Sequence, residues 1–231
     1  MRAYPKLLAL ALASAPFAVV PFATQAAVPA DQKLSISANP NPIVFELDTV
    51  ISGKRTGPVK AGHPVALEDN PFPYTRGFQK IASTVTDARA RYKFSHVKPL
   101  LNTRYRTTTP LTGTGKVPPP EGSSPTILVK VEIHVLLRVS DHTPRPGQRV
   151  NFSGTATPQH DGRLVYIQVQ TSTGRWHTVA RTALRDAGTE RSRFSRRIRV
   201  RRDHTYRARV FHDGDHADGT SRNKHVNVKG R

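Results

Sequence analysis

The densest group of side chains capable of chemistry is the segment His212-Asp213-Gly214-Asp215-His216-Ala217-Asp218-Gly219. Its three carboxylates and two imidazoles fall within seven residues, and such a set can hold a hard or borderline cation. The spacing departs from an EF-hand calcium loop, which would need a carboxylate where Ala217 stands. Two interpretations stay open: a metal site using Asp213, Asp215 and Asp218, or a plain loop with Asp and Gly as turn residues.

The sequence lacks the common catalytic motifs. There is no Gly-x-Ser-x-Gly elbow, no His-Glu-x-x-His pair and no phosphate-cradling glycine loop. The cysteine count is zero, which removes thiol nucleophiles, disulfides and thiolate metal sites. Carboxylate pairs for glycoside cleavage would have to come from Glu46, Asp48, Glu68 or Asp69, without a matching cleft signal. We therefore expect a non-catalytic protein without a cofactor.

Positive charge is the strongest compositional feature. The formal net charge is +20, and the residues from Val131 onward carry 20 Lys and Arg against 9 Asp and Glu. Phe194, Ile198 and Val200 occupy one phase of a predicted strand and should face the core. The other phase should form an outer ladder of arginines: Arg193, Arg197, Arg199 and Arg201.

An exposed arginine ladder suggests binding of polyanions, which outside a cell would be anionic cell-wall polymers, acidic polysaccharide or DNA. The alternative is a solvated face that protects a sheet from pairing at its edge, with an arginine count raised by a high-GC genome. Nucleic acid is the less favoured polyanion because interleaved stacking aromatics are missing. Trp176 is expected in the core, since it takes the place of Phe78 in an earlier copy of the same pattern.

That pattern is an internal repeat. Ser52-Gly53 returns as Ser153-Gly154, Phe94-Ser95 as Phe194-Ser195, and Tyr105-Arg106 as Tyr206-Arg207. The offset stays near 101 residues, so the chain contains two copies of one structural unit.

Each copy alternates as β-strands do. Val165, Ile167 and Val169 share one face, and turn formers such as Asp161-Gly162 separate the short apolar runs. About seven strands per copy, with turns every 8–12 residues, is typical of a β-sandwich. The sequence predicts an all-β protein of two tandem immunoglobulin-like (Greek-key) β-sandwiches.

Two tyrosines stand at matching places in the copies. Tyr105 and Tyr206 each follow a polar turn at the start of the penultimate strand. We expect tyrosine corners there, with the hydroxyl bonded to upstream backbone. An ordinary strand tyrosine is the alternative.

The predicted organisation has three parts. Residues 1–26 have the basic start, apolar run and small-residue end of a secretory signal peptide. Residues 31–130 form the first sandwich, with a Pro/Gly-rich loop over 107–124, and residues 131–231 form the second, arginine-rich one. The strand pattern runs from Thr126 to Val139, so the last strand of one module should pass directly into the first strand of the next.

Several stretches carry a resemblance to a known group. Ile36-Ser37-Ala38-Asn39-Pro40, Asn70-Pro71-Phe72-Pro73-Tyr74 and Arg138-Val139-Ser140-Asp141 resemble the immunoglobulin-like domains of secreted actinobacterial proteins. The resemblance implies a fold and an extracellular location, and no reaction.

These observations predict a secreted, monomeric protein that is not integral to the membrane once processed. It would serve as a structural, adhesive or binding module at or near the cell surface. Two alternatives are a wall-associated protein that binds surface polyanions through its arginine face, and an accessory carbohydrate-binding module of an extracellular enzyme system.

Overall fold

The computed structural model describes residues 33–57, 61–110, 121–188 and 190–230, and the regular structure in them is β. The predicted signal peptide over 1–26 and the centre of the predicted loop, residues 111–120, lie outside the described residues. In the described part of the chain, no helix has the length and apolar character needed to cross a membrane.

The first module is a sandwich of two antiparallel sheets. One sheet has the order β1-β3-β6, and the other has the order β5-β4-β7, with β8 and β9 both pairing with the free side of β7. The strands are β1 (Ser37–Asn39), β2 (Ile43–Val44), β3 (Thr49–Lys54), β4 (Pro64–Pro71), β5 (Gln79–Val85), β6 (Arg91–Val97), β7 (Thr103–Pro110), β8 (Glu121–Ser123) and β9 (Ile127–Val129).

The second module repeats this arrangement. Its sheets have the orders β11-β12-β16-β15 and β14-β13-β17, with β18 and β19 on the free side of β17. Its strands, together with the linker strand β10, are β10 (Val131–Glu132), β11 (His134–Val139), β12 (Arg149–Thr157), β13 (Leu164–Gln170), β14 (Trp176–Ala183), β15 (Arg185–Asp186), β16 (Ser192–Arg199), β17 (His204–Val210), β18 (Gly219–Thr220) and β19 (Lys224–Val226).

Each module has its own apolar interior. The buried cluster of the first runs from Leu34 to Val131 and that of the second from Ile133 to Val228, and they share no residue. Alternate strand positions supply both clusters, because successive side chains of a strand point to opposite faces. The predicted all-β fold of two tandem immunoglobulin-like sandwiches is confirmed.

A glycine at the same place in each module leaves room for an aromatic side chain of the neighbouring strand to lie over its backbone. Gly53 lies opposite Tyr92, and Gly154 lies opposite Phe194. A Cβ on either glycine would overlap a backbone carbonyl oxygen, that of Ser35 or of Leu136. Phe194 therefore corresponds to Tyr92. Pairing it with Phe94, as the sequence suggested, was wrong by two residues.

The two repeated tyrosines are core residues. Tyr105 and Tyr206 are the third residues of β7 and β17 and are 2% and 3% exposed. Burial, with the nearby Asp69 charge, raises the pKa of Tyr105. In the described residues, the tyrosine hydroxyl that donates to upstream backbone is that of Tyr92, which bonds the Ser35 carbonyl. That bond joins residues 57 positions apart, so it differs from the short-range corner bond predicted at Tyr105 and Tyr206, which stays a prediction.

The predicted loop over 107–124 is shorter than expected. The ladder between β7 and β8 continues to the pair Pro110 and Glu121. Thr107, Thr108 and Thr109 are at most 5% exposed, and the Thr109 hydroxyl donates to the Pro64 carbonyl at 2.6 Å. Buried, hydrogen-bonded threonines continue strand β7 here, although their polarity suggested a loop.

The linker strand β10 is bonded on both sides. On one side it pairs in parallel with β2 of the first module. On the other, Ala217 of the second module donates to the Val131 carbonyl at 2.7 Å, and its own carbonyl accepts from Ile133 at 3.2 Å. Val131 and Ile133 are 0% and 1% exposed and belong to different cores. The chain therefore passes between modules without a free segment.

Candidate metal centre at the module junction

The acidic loop between β17 and β18 is folded by its own side chains. The Asp213 carboxylate accepts from the His216 amide at 3.0 Å, and the Asp218 carboxylate accepts from the His212 amide at 2.7 Å. Such bonds are typical of aspartates in turns and close the loop locally.

This loop lies against the first module through Asn102. The Asn102 amide donates to the Asp215 carbonyl at 2.7 Å, and its side-chain NH₂ donates to the Gly214 carbonyl at 3.3 Å. Its side-chain oxygen accepts from the Val131 amide at 2.9 Å. The Phe72 ring covers Gly214, where a Cβ would lie 2.7 Å from ring carbons. One asparagine thus ties the loop and the linker strand together.

Four side chains converge beside this contact. His160, Asp213, Asp215 and His216 each offer one ligand atom, and these atoms all lie within 4.8 Å of one another. The imidazole rings meet edge to face, with centroids 5.1 Å apart. The histidine side chains are 5% and 2% exposed, whereas the Asp213 and Asp215 side chains are 21% and 39% exposed.

Backbone carbonyls fix which nitrogen of each imidazole carries a proton. His160 Nδ1 lies 2.8 Å from the Pro158 carbonyl, and His216 Nε2 lies 2.9 Å from the Leu100 carbonyl. A carbonyl can only accept, so these nitrogens donate and the opposite nitrogens present lone pairs. His160 Nε2 and His216 Nδ1 are buried and make no hydrogen bond within the described residues.

Those two nitrogens face carboxylates. His160 Nε2 lies 3.2 Å from Asp213 Oδ2, and His216 Nδ1 lies 3.3 Å from Asp215 Oδ1. These are ion-pair distances without hydrogen-bond geometry. The arrangement can hold a cation between the four side chains, or two imidazolium–carboxylate pairs if both histidines are doubly protonated.

The two carboxyl groups differ in acidity. Burial and the hydrogen bond shared with Asp215 raise the pKa of Asp213. For Asp215, burial opposes ionisation, but the Asp213 hydrogen bond and the nearby His216 outweigh it and lower the pKa. One proton between two close carboxylates is the usual result of like-charge proximity.

The predicted metal residues do not all meet. Asp213 and Asp215 lie in the cluster, but Asp218 lies elsewhere: its carboxylate forms an ion pair with Arg209 and another with His212. Arg209 lies in β17 beside Thr220 of β18, so strand pairing brings the guanidinium to Asp218. His160, which no local motif signalled, comes from the loop between β12 and β13.

The arginine ladder lies on the outer face of the sheet β11-β12-β16-β15. Arg193, Arg197 and Arg199 are exposed on β16, and Arg201 is exposed just after its end. Neighbouring strands add Arg149, opposite Arg199, and Arg185, opposite Arg193. The ion pairs found among the described residues involve none of these arginines.

Other arginines cover aromatic rings on the second sheet of each module. The Arg106 guanidinium lies 4.3 Å from the Phe78 ring centroid, and that of Arg207 lies 4.0 Å from the Trp176 ring centroid. Trp176 is therefore half-buried beneath Arg207 on the outer face, and its expected core position was wrong. Strand pairing sets Trp176 opposite Gln170, which lies on the outer face of β13.

The chain matches no family model and no curated protein. Among solved structures, it is similar to the tetra-tandem repeat in the extending region of a large adhesion protein, with 17% identity and a TM-score of 0.35. That similarity covers 85% of this chain and 49% of the other, so this chain spans about half the length of that structure. A likeness at this level carries no argument about function.

Proposed function

We propose that the chain is a non-catalytic, two-module immunoglobulin-like protein that works outside the cell as a structural, adhesive or binding segment of fixed geometry. The observation that supports this is the linker strand, because Val131–Glu132 is hydrogen-bonded to the first module on one side and to the second on the other. A linker without free residues restricts the independent motion usual for domains joined by flexible segments.

The contacts around the linker support the same proposal. Asn102 bonds both the linker and the second module's loop, and His216 bonds the Leu100 carbonyl of the first module. Three separate contacts therefore restrain the angle between the sandwiches. A protein built this way can hold two surfaces at a set distance and orientation.

A cavity on the first module bears on one reaction class, the glycoside cleavage considered from the sequence. It has a volume of about 690 Å³, and Asp69 is the one carboxylate in its described lining. That carboxylate is paired with Arg76 at 3.1 Å. A single carboxylate is one fewer than the pair that glycoside cleavage uses.

The rigid geometry can be tested by backbone ¹⁵N relaxation. If the junction is fixed, amides of both modules report one overall tumbling time and one anisotropic diffusion tensor. Two separate tensors, each of a single module, would contradict the proposal.

Polyanion binding is a second candidate function, favoured by the outer-face arginines of the second module that make no ion pair among the described residues. The accessory carbohydrate-binding alternative predicts a different behaviour, namely retention on neutral polysaccharide that salt does not weaken. A salt series on anionic and neutral columns separates the two.

A further inference from the structure

We propose that His160, Asp213, Asp215 and His216 bind one divalent transition-metal ion, of which Zn²⁺ is the expected occupant, and that the bound ion fixes the loop that joins the modules. The ion would be held by His160 Nε2, His216 Nδ1 and one oxygen of each carboxylate.

The strongest support is the pair of buried imidazole nitrogens without a hydrogen bond. His160 and His216 are 8% and 2% exposed as residues, and the carboxylates that face His160 Nε2 and His216 Nδ1 do so without hydrogen-bond geometry in the described chain. Buried polar atoms are nearly always satisfied, so two such nitrogens in a cluster of ligand atoms within 4.8 Å of one another need an explanation. A cation held by the cluster would satisfy both.

The second support is the hydrogen bond that orients each imidazole. Histidines that bind metal usually donate their other ring N–H to a carbonyl or carboxylate, which fixes the tautomer and the ring orientation. His160 does this toward Pro158 at 2.8 Å and His216 toward Leu100 at 2.9 Å. Both rings are therefore held with the lone pair toward the cluster before any ion arrives.

The distances suit a tetrahedral ion. Zinc bonds to nitrogen and oxygen of 2.0–2.2 Å place neighbouring ligand atoms roughly 3.3–3.6 Å apart. The two histidine–carboxylate pairs already lie 3.2 and 3.3 Å apart, and the largest separation is within 4.8 Å. Small rotations of the partly exposed carboxylates close the remaining gap.

The ligand types select the metal. Two imidazoles and two carboxylates without thiolates match the ligands zinc takes, and calcium and magnesium prefer oxygen ligands only. A dication would also stabilise both carboxylates in their ionised form, which their mutual repulsion otherwise disfavours at this distance. Four protein ligands leave no open position, so the ion would be structural rather than catalytic.

The position of the cluster links the ion to module orientation. All four ligands belong to the second module, but the carbonyl that orients His216 belongs to Leu100 of the first. Asn102 holds the backbone of Gly214 and Asp215 between the ligands. The link between the bound ion and module orientation rests on the proposed function of fixed geometry. Metal binding by itself does not.

The test uses the full chain without a histidine tag, stripped with a chelator and then dialysed. Titration with Zn²⁺ against a chromophoric competitor should show saturable binding of one ion per chain. Co²⁺ should give the intense visible absorption of tetrahedral coordination, and the melting temperature should rise with Zn²⁺ but not with Ca²⁺ or Mg²⁺. Absence of one-to-one Zn²⁺ binding by the folded chain would overturn the site.

Variants decide whether these residues are the ligands. Asp215→Asn and His160→Gln keep side-chain size, and each should weaken Zn²⁺ binding about 100-fold or more, since even outer-shell partners are worth 10–100-fold. Circular dichroism of the metal-free variants verifies that they fold. His212→Ala is the matched control, because this exposed histidine lies in the same loop outside the cluster. Undiminished binding in both ligand variants would overturn the assignment, as would a loss confined to the control.

The coupling has its own readout. ¹⁵N relaxation of the stripped and Zn²⁺-loaded chains should show the modules more independent without the ion. Identical single-body tumbling in both states would overturn the coupling and leave both the metal site and the fixed geometry standing. Independent tumbling in both states would overturn the fixed geometry instead.

Discussion

The side chain of His216 donates from Nε2 to the backbone carbonyl of Leu100 at 2.9 Å, across the boundary between the two modules. Phe45 of the first module also meets the same ring edge to face, with centroids 5.9 Å apart. The imidazole is therefore packed in both modules at once, although its backbone belongs only to the second. Substitutions at this junction should therefore change the stability of both sandwiches.

The first prediction concerns Asn102, which is 8% exposed and bonds Val131 and Gly214 with its side chain. Asn102→Ala should lower the free energy of unfolding by about 2 kcal/mol, because it leaves buried backbone groups without partners. It should also separate the unfolding of the modules. Urea unfolding followed by circular dichroism and by Trp176 fluorescence would show two midpoints.

The control for that experiment is Asn223→Ala, which changes an exposed asparagine of the second module. A single coincident transition in Asn102→Ala, with the midpoint of the control, would show that the bonds of Asn102 do not couple the modules.

The second prediction concerns the repeated glycines. Gly53→Ala and Gly154→Ala should each destabilise their module by about 3 kcal/mol, since the new methyl group meets a backbone carbonyl that cannot move without disturbing the sheet. Thermal unfolding measures the loss. Ser52→Ala and Ser153→Ala alter the adjacent residues and should change stability by less than about 1 kcal/mol. Equal effects in the glycine and serine variants would contradict the prediction.

The third prediction concerns the outer-face arginines. The triple variant Arg193→Ala, Arg197→Ala, Arg199→Ala should bind a glycerol-phosphate polymer more weakly, and the slope of log affinity against log salt should fall by about 0.7–0.9 for each phosphate that the arginines no longer neutralise. Fluorescence anisotropy with labelled polymer measures both. The matched control removes the same charge from other exposed positions of the second module, with the substitutions Arg145→Ala, Arg175→Ala and Arg222→Ala. Equal slopes for the two triples would mean that the attraction follows net charge alone.

The fourth prediction uses the single tryptophan of the chain. Arg207 covers the Trp176 ring at 4.0 Å and donates to the Gln168 side chain at 2.8 Å. Arg207→Ala should uncover the indole, shift its emission to the red and increase acrylamide quenching, at a cost of about 1 kcal/mol in stability. Arg181→Ala, which removes the cation above Tyr166 instead, is the comparison. Quenching that matches the wild type would show that the guanidinium does not shield the ring.

The fifth prediction concerns alkaline pH. Burial raises the pKa of Tyr92, Tyr105 and Tyr206 above the ordinary value near 10. Between that value and the raised ones, the folded state binds more protons than the unfolded state, so stability falls as pH rises. Below about pH 10 these tyrosines leave stability unchanged. Phenolate absorbance should rise together with the loss of circular dichroism, and ionisation of all three in the folded protein would contradict this.

Much of the fold could be predicted from the sequence because the strands of a sandwich alternate apolar and polar residues, and this alternation is visible in each short segment. Val165, Ile167 and Val169 point inward whatever lies opposite them, and a second copy of the pattern makes chance agreement implausible. Thr107 to Thr109 could not be assigned to a strand from alternation. A threonine is buried where a partner accepts a hydrogen bond from its hydroxyl, as the Pro64 carbonyl does for Thr109.

The candidate site was only partly predictable, for a related reason. Asp213 and Asp215 are near in sequence, and their proximity is visible there. The sandwich topology places His160 beside them. Asp218 instead forms an ion pair with Arg209, which lies on the neighbouring strand. Spacing along the chain reports neither event, because both depend on which strands lie side by side.

The two-sided pairing of Val131–Glu132 also has a mechanical consequence. A pull on the ends of the molecule passes through this strand, which runs parallel to β2 on one side and to the bridge residue Ala217 on the other. Its hydrogen bonds would then bear the load together in shear, instead of opening one after another like a zipper. The connection between the sandwiches should therefore resist extension as a unit, and lengthening under tension should come from rupture of a whole module.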